Sequence, residues 1–589
     1  MTHYPTFIPH AGPDNARIMF VDEAGGEAEM RELQPFVGES GNILMTCLSR
    51  AGVSRDEVYL ANLSHYRPHD NKFENLIDTD VLRAGVKELY AHIMEFRPTV
   101  IAALGAHSLF FLTGRKGIKK WRGSILSFMH DETIKVIPTV RPAAVLRDRS
   151  LYPIFDADIR RIVGDSAYPE KRLPQRRLVT DPRGLELEEW TQRLCKAEFL
   201  GADIETVKNS SRILCVGFAP SPDLAVCINA EGEQGRRAIQ RILLSDAKKI
   251  FQLGTFDTLQ LIYLNGYETR DPIAATLDRP YYWDTLVAQH VLAPELPRSL
   301  EYLTSIYTRE PYYKTVGRGT IPDDEKGWSE RVEKQSLYEY NCRDCCTTIE
   351  IALLQMAELA AEPIATQNIF AFEMEMVGAT RDISAAGMLV DDQRRAAIEN
   401  VLLRRWGKMQ TILDGLTGFE TNVRSTKLKT ILYKEMGLPT RRKRGGGITT
   451  DEDAIVSLIT FCKDKMDNLV REDAILSWKV KLTICKAILE IRGIRQTLSN
   501  YVLATQRNGR PRISSDGRVR SMYRIGPETG RWSASKYVDG TGIAAQTLPR
   551  DPINVEESDL TFSGPAINLE KALVGEPNED DVSELESEE

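Results

Sequence analysis

Apolar residues in the first 165 positions fall into short runs separated by amphipathic stretches. Residues 17–22 (RIMFVD), 58–63 (VYLANL), 99–104 (TVIAAL) and 135–140 (KVIPTV) have the length and content of buried strands. Residues 42–51 and 81–96 repeat their apolar positions on a helical period, and Gly25 and Gly26 turn the chain after the first run. Strands alternating with helices predict an α/β domain with a mainly parallel sheet. The stretch 169–177 (PEKRLPQRR) is basic, Pro-rich and without an apolar period, so it reads as a linker. A second α/β unit follows. It has a strand at 199–206 (FLGADIET), an alternating hairpin at 212–220 and 224–229, a helix at 235–249 and a strand at 249–253 (KIFQL). Helices are expected at 284–293 and 299–306, and long helical stretches at 329–361. The break 307–328, with Gly317, Gly319, Pro322 and several charges, predicts a surface loop. From 367 onward the pattern is mostly helical, over 367–386, 391–416, 425–436, 451–462 and 476–506. Residues 508–550 read as strand and loop, and no internal repeat is present.

Composition narrows the class. Over 589 residues, 42% hydrophobic and 27% charged content fits several packed domains and excludes a fibrous or wholly disordered chain. Net charge is -8, and the eight acids of 576–589, unmatched by any base, account for it. The remainder is near neutral, so charge that binds nucleic acid must be local. The final segment lacks a core pattern and is expected to be disordered. Nine cysteines form no regular framework, and no leader or membrane-spanning apolar run is visible. The expectation is a reduced, cytoplasmic protein (host cytoplasm if phage-encoded). Cys342, Cys345 and Cys346 cluster, but no second ligand group stands at the spacing of a zinc site.

Chemistry concentrates in the second α/β unit. Alternation along the strand puts Asp203 and Glu205 on one face. Two carboxylates that close repel unless a cation lies between them. Asp257 follows another strand, and Asp344 sits in a helical stretch four residues after Tyr340, on the same face. Hydrolysis of a phosphodiester by two metals needs hard oxygen ligands of this kind. A phenol with an ordinary pKa of about 10 suits orientation of water better than proton abstraction. From the residues alone, Asp203 and Glu205 can equally be a solvent-facing strand-end pair.

The tetrad Asp203-Ile204-Glu205-Thr206, the Phe256-Asp257 pair and the Tyr340-to-Asp344 spacing resemble the three motifs of the proofreading exonuclease domain of family A DNA polymerases. The run from Trp283-Asp284 to Leu292 and the run Ser299 to Leu303 extend that resemblance, which covers about 195–360. It implies an RNase H-like, DEDD-type 3′→5′ exonuclease. Asp203, Glu205, Asp257 and Asp344 would hold two Mg²⁺ or Mn²⁺, and Tyr340 would position water. Gly254-Thr255 departs from the family, which often has an Asn-containing sequence there, and Asp284 is expected to support the site from behind.

Residues 367–550 resemble the opening of the polymerase module of the same family. The resemblance rests on Gly387 to Asp391, Asn422 to Ser425, Gly437-Leu438-Pro439, Thr529-Gly530-Arg531 and Gln546 to Pro549. It implies a mostly helical thumb with a partial palm. DNA contacts are expected at Arg441, Arg442, Lys443 and Arg444 beside three glycines, and at Arg518, Arg520, Arg524, Arg531 and Gln546. The palm aspartates and nucleotide-binding helix of the family have no counterpart here. The expectation is therefore no polymerisation by this chain alone, primer–template or single-stranded DNA as substrate, and either a separate chain carrying palm and fingers or a stand-alone exonuclease with a retained DNA clamp. A non-catalytic DNA-binding scaffold that docks such a chain is the alternative.

Asp22 to Gly26, Pro35 to Gly38 with Gly41, Tyr59 to Asn62, Arg67-Pro68 and Arg141-Pro142-Ala143 resemble uracil-DNA glycosylases of the iron–sulfur group, over about 15–163. By this resemblance Phe36 stacks on uracil, Asn62 reads its edge, and Asp22 or Glu23 lies where water is activated, with the base flipped into the pocket. Arg141 stands where the family has His. Cys47 is the one cysteine of the region, and His65-Tyr66 replaces a usual Cys, so no iron–sulfur cluster is expected. An active glycosylase, a uracil or DNA sensor, and a partner-binding domain all remain open. The expected organisation is 1–165 glycosylase-like α/β/α domain, 166–194 linker and entry segment, 195–365 exonuclease, 366–550 thumb and partial palm, and 551–589 acidic tail.

Overall fold

The four apolar runs of the N-terminal region form β1 (Ile18–Ala24), β2 (Val58–Ser64), β3 (Val100–Leu104) and, after the short β4 (Leu126–Phe128), β5 (Asp131–Thr139). In this computed structural model the described residues are 6–207, 209–267, 281–314, 334–443, 446–467, 469–506, 509–526 and 530–548. The strand order is β2-β1-β3-β5-β4. All pairs are parallel except β4 with β5. Helices cover both faces, which is why these strands are almost continuously apolar: Met19, Phe20 and Val21 have no exposed surface. Separate apolar clusters lie on the two faces.

The second sheet holds β6 (Arg177–Thr180), β7 (Phe199–Thr206), β8 (Ile213–Ser221), β9 (Leu224–Asn229), β10 (Lys248–Phe251) and β11 (Tyr281–Asp284), in the order β11-β10-β7-β8-β9-β6. β7, β8 and β9 form an antiparallel meander, with β10 parallel to β7 and β6 parallel to β9. The long helix Lys334–Ala361 lies across β7 and β8. Two glycines allow the close approach. A Cβ at Gly217 would lie 2.1 Å from Asn341 Oδ1 and 2.6 Å from Cys345 Sγ, and one at Gly201 would lie 2.6 Å from the Cys345 carbonyl oxygen. The cysteines at 342, 345 and 346 are buried against this sheet as packing groups.

The described residues up to Ala385, with Tyr523–Ser533, make one compact unit, and the described residues of Ala386–Met522 and from Ala534 onward make the other. The second unit is largely helical. Asp392–Thr417, Glu452–Asp467 and Glu472–Thr497 enclose a core containing Trp406, Leu413, Leu428, Ile455 and Ile488. The architecture is thus mixed α/β followed by a largely helical region. No helix among the described residues is long and apolar enough to cross a membrane.

Three sequence expectations change. The helix expected over 235–249 ends at Leu243. The stretch 425–436 is not one regular helix but a short turn, Lys427–Lys429, continued by a π-helical segment over Thr430–Glu435. The break after 307 begins as buried chain: Thr308, Glu310 and Lys314 are at most 8% exposed. Arg176 explains part of this, since its guanidinium donates to Glu310 and Glu350, both at 2.6 Å. Charges paired in this way go inward where a charge count alone reads surface. Residues 315–333 and the tail from 549 lie outside the described residues.

Candidate functional site

β7 presents Asp203 and Glu205 on one face, as period-two alternation requires. The approach of Lys334–Ala361 across Gly217, whose register partner is Asp203, brings Asp344 over them. Asp203, Glu205 and Asp344 each place a carboxylate oxygen within 4.8 Å of the other two. Asp257 joins from the short helix Gly254–Thr258, where it interacts with the backbone of Ile204 and with the charge of Asp203. All four acids expected from the sequence therefore come to one place. Asn341 donates to Asp203 Oδ2 at 2.9 Å.

The electrostatics fit residues able to hold a cation. Desolvation, followed by the charge of Asp344, raises Asp203 from an ordinary 3.8 to about 8. Desolvation followed by Asp203 also raises Glu205 and Asp257. The chain supplies little positive charge in return, so hard oxygens held this close suit Mg²⁺ or Mn²⁺. Burial, and next the charge of Asp344, holds the Tyr340 phenol well above its usual pKa, so it stays protonated and able to donate.

Two contributors, Lys314 and Tyr313, lie outside the sequence expectations. Lys314 Nζ lies 3.1 Å from Asp344 Oδ2 and donates to the Tyr340 hydroxyl at 2.9 Å. Tyr313 donates to Asp344 Oδ1. Both oxygens of Asp344 are thus engaged by a segment that looked like surface loop; the pair of tyrosines before Lys314 was the available signal. Asp284, expected from the sequence to stand behind the site, is buried. It accepts from the backbone N–H of Leu253, Gly254 and Leu286, at 3.1, 2.9 and 2.9 Å, and from the Tyr281 hydroxyl at 2.7 Å. It thereby pins the turn that launches the helix carrying Asp257. Gly254 is required there, because a Cβ would lie 2.3 Å from the Tyr281 hydroxyl.

Gly217→Ala tests the helix approach. The added methyl meets Asn341 and Cys345, so the helix must lift from β8 and carry Asp344 with it. The expected cost is about 1–3 kcal/mol in denaturant unfolding, with nuclease loss exceeding what that instability explains.

In the N-terminal sheet, Asp22 and Asn62 are register partners on β1 and β2. Arg141 bridges the acids, with Nε 2.8 Å from Asp22 Oδ1 and another guanidinium nitrogen on Glu23. His107 Nδ1 lies 2.9 Å from the other Glu23 oxygen, which raises the His107 pKa. Phe36 is buried at a positive φ of 57°, its loop tied by Arg55 to the carbonyls of Pro35 and Phe36. Glu23, Arg141 and His107 line a cavity of 690 Å³ that Asp22, Phe36 and Asn62 do not line.

The uracil-DNA glycosylase superfamily model matches residues 9–163. A type-4 uracil-DNA glycosylase from Thermotoga maritima is 38% identical over 151 residues, 25% of this chain and 73% of that protein. The chain belongs to the uracil-DNA glycosylase superfamily. A second type-4 enzyme, from Saccharolobus solfataricus, is 33% identical over 162 residues, 26% of this chain and 74% of that protein. A DNA polymerase of Bacillus phage SP01 is 29% identical over 149 residues, 25% of this chain and 16% of that protein. The POL domain of Pol1 from M. smegmatis, in complex with DNA primer-template and dNTP, aligns with 60% of this chain and 54% of that one, at 16% identity and a TM-score of 0.41. This superfamily member thus extends more than four hundred residues beyond its matched region.

The expected DNA-binding residues fall in both compact units. Arg524 and Arg531 belong to the first compact unit; Arg441, Arg442, Lys443, Arg518, Arg520 and Gln546 belong to the second; Arg444 lies outside the described residues. Arg442 and Ile448 pair across a tight turn. Arg518 donates to the carbonyls of Ala386 and Gly387, and Arg520 binds Asp516 at 3.0 and 2.6 Å. These two therefore hold their own fold together. A 720 Å³ cleft in the second unit is lined by Arg424, Lys429, Lys443 and Arg492, of which the sequence reading had named Lys443.

Proposed function

We propose that this chain is a metal-dependent 3′→5′ DNA exonuclease joined to a DNA-reading glycosylase-superfamily domain, in a polypeptide built like the N-terminal portion of a family A DNA polymerase. The observation that supports it is the convergence of Asp203, Glu205 and Asp344, with Asp257 beside them and Tyr340 one helical turn from Asp344. The proposed division is a glycosylase-like domain over 1–165, a linker and entry segment over 166–194 whose β6 already joins the second sheet, the exonuclease over 195–365, and a thumb with partial palm over 366–550 that grips primer–template or single-stranded DNA.

Mg²⁺ or Mn²⁺ held by the four acids would stabilise charge on the scissile phosphate and lower the pKa of the attacking water. The chain's own part is orientation. Asn341 fixes one oxygen of Asp203, and Asp284 fixes the turn behind Asp257. The protonated Tyr340 hydroxyl is a donor for aligning water, and Lys314 holds that hydroxyl. A 5′-labelled primer should shorten stepwise with Mg²⁺ or Mn²⁺, while Asp203→Ala and Asp344→Ala should not shorten it. Wild type no faster than these variants would refute the enzyme reading.

Lys314 sets the ease of metal entry, because its ammonium already occupies Asp344 Oδ2. Lys314→Met is expected to lower the half-saturating Mn²⁺ concentration several-fold and also to lower turnover, as the Tyr340 hydroxyl loses its donor. A metal titration of initial rates reads both effects.

For the N-terminal domain we favour recognition over excision. Arg141 stands in place of the family's His, and its guanidinium is spent on Asp22 and Glu23. Uracil-containing single strands should be retained in a binding assay in preference to thymine-containing ones, without abasic product at enzyme-like turnover. Such turnover would instead assign glycosylase activity.

A further inference from the structure

Apart from both sites above, three side chains of the N-terminal domain converge. His10 lies on the segment before β1, and Glu88 and His92 lie one turn apart on one face of the helix Asp80–Phe96. One ligand atom from each lies within 4.8 Å of the others. The segment carrying His10 is fixed by backbone hydrogen bonds: Ala11 exchanges two with Leu60, and Ile8 N–H donates to the His65 carbonyl.

The imidazole geometry is that of a ligand set. His10 Nε2 donates to the Asn62 carbonyl at 3.1 Å, which leaves Nδ1 of the neutral ring as a lone pair. That lone pair faces His92 Nδ1 at 3.4 Å. Zinc bonded to two nitrogens at about 2.0–2.1 Å in tetrahedral geometry sets them about 3.3–3.4 Å apart. His65 supplies an independent observation. It is 4% exposed, and its Nδ1 donates to the Ile8 carbonyl at 2.8 Å. Its Nε2 has no hydrogen-bond partner of good geometry, yet points at Glu88 from 3.1 Å. A ring N–H fixed by a backbone carbonyl, as His10 Nε2 is by Asn62, matches the outer-shell pattern of metal-bound histidine.

We propose that His10, Glu88 and His92 bind a divalent transition-metal ion of the zinc class, with the buried His65 ring beside Glu88. Imidazole nitrogens with one carboxylate select zinc over magnesium. The ion fastens the N-terminal segment to the helix and to β2 behind Asn62, so its role is to staple the edge of the pocket, not to react.

The full-length chain, stripped with chelator and reloaded with Zn²⁺, tests this by metal content after desalting and by Co²⁺ absorption. Because the carboxylate centre also takes metal, every protein carries Asp203→Asn and Asp344→Asn as background. In that background one zinc per chain should remain. His10→Ala and Glu88→Gln should lose it, and His92→Cys should keep it while adding a thiolate-to-Co²⁺ band in the near ultraviolet. Equal zinc content in the background protein and in His10→Ala would overturn the proposal, as would His92→Cys with bound Co²⁺ but no thiolate band. Circular dichroism matched to the background protein shows that each variant is folded.

Discussion

Asp203→Asn is expected to lower primer degradation by about a thousandfold or more, and at alkaline pH to make the metal-free protein more stable. The first effect follows from removal of the most central acid. Metal stabilisation of the transition state is worth several kcal/mol, and each 1.36 kcal/mol is tenfold in rate. The second follows from linkage. Folding raises the Asp203 pKa from an ordinary 3.8 to about 8, by burial and by Asp344. Between those values the folded state keeps a proton that the unfolded state releases. The contribution of this group is therefore full below pH 4 and is lost as pH rises through 8. Asn does not titrate, so its advantage should be greatest near pH 8 and vanish near pH 4. Melting curves in chelator, at both pH values, read the difference. Mg²⁺ should then stabilise wild type and leave the variant unmoved. A metal-free variant that melts below wild type at pH 8 would contradict this account.

Arg141→Ala should produce the largest loss of stability in the N-terminal domain, about 3 kcal/mol. Its guanidinium lies between two buried acids, Asp22 at 8% and Glu23 at 6% exposure. Burial already raises Asp22, and Arg141 is the main influence pulling it down. Without the arginine, two adjacent carboxylates face each other in a recess, with His107 as the remaining partner of Glu23. The penalty should grow as pH rises, because the charged forms are the ones stranded. Hydrogen exchange of β1 amides in the full-length chain measures it locally, so the other domains do not mask it. Arg141→Lys should recover part of the loss, since one ammonium cannot bridge both acids as a guanidinium does. Unchanged β1 protection in Arg141→Ala would mean that the bridge carries little.

The carboxylate centre sets one ammonium, Lys314 on Asp344, against four acids. The acids of the glycosylase-superfamily pocket are already neutralised from within. One site is poised to take a metal and a phosphate. The other has spent its donor on its own acids.

Much of this was legible in the chain. Continuous apolar runs marked β1, β2, β3 and β5, because a parallel sheet covered on both faces tolerates no polar alternation. Alternation put Asp203 and Glu205 side by side, and helical spacing stacked Tyr340 on Asp344. These are local facts, set by periods of two and 3.6 residues. The meeting of Asp203 with Asp257 and Asp344 is not local. It depends on strand order and on two glycines that let a helix lie close on β7 and β8. Composition could not reveal Lys314 either, since a lysine in a break rich in glycine and charge reads as solvated, despite the two tyrosines before it, until a buried carboxylate is placed beside it. Arg141 was visible as a departure, yet its capture by Asp22 and Glu23 required the end of β1 to face the residues after β5. Sequence determined which side chains share a face, because that follows from backbone period. Tertiary structure decided which faces meet and which charges cancel, because Coulomb energies and desolvation depend on distances between segments far apart in the chain.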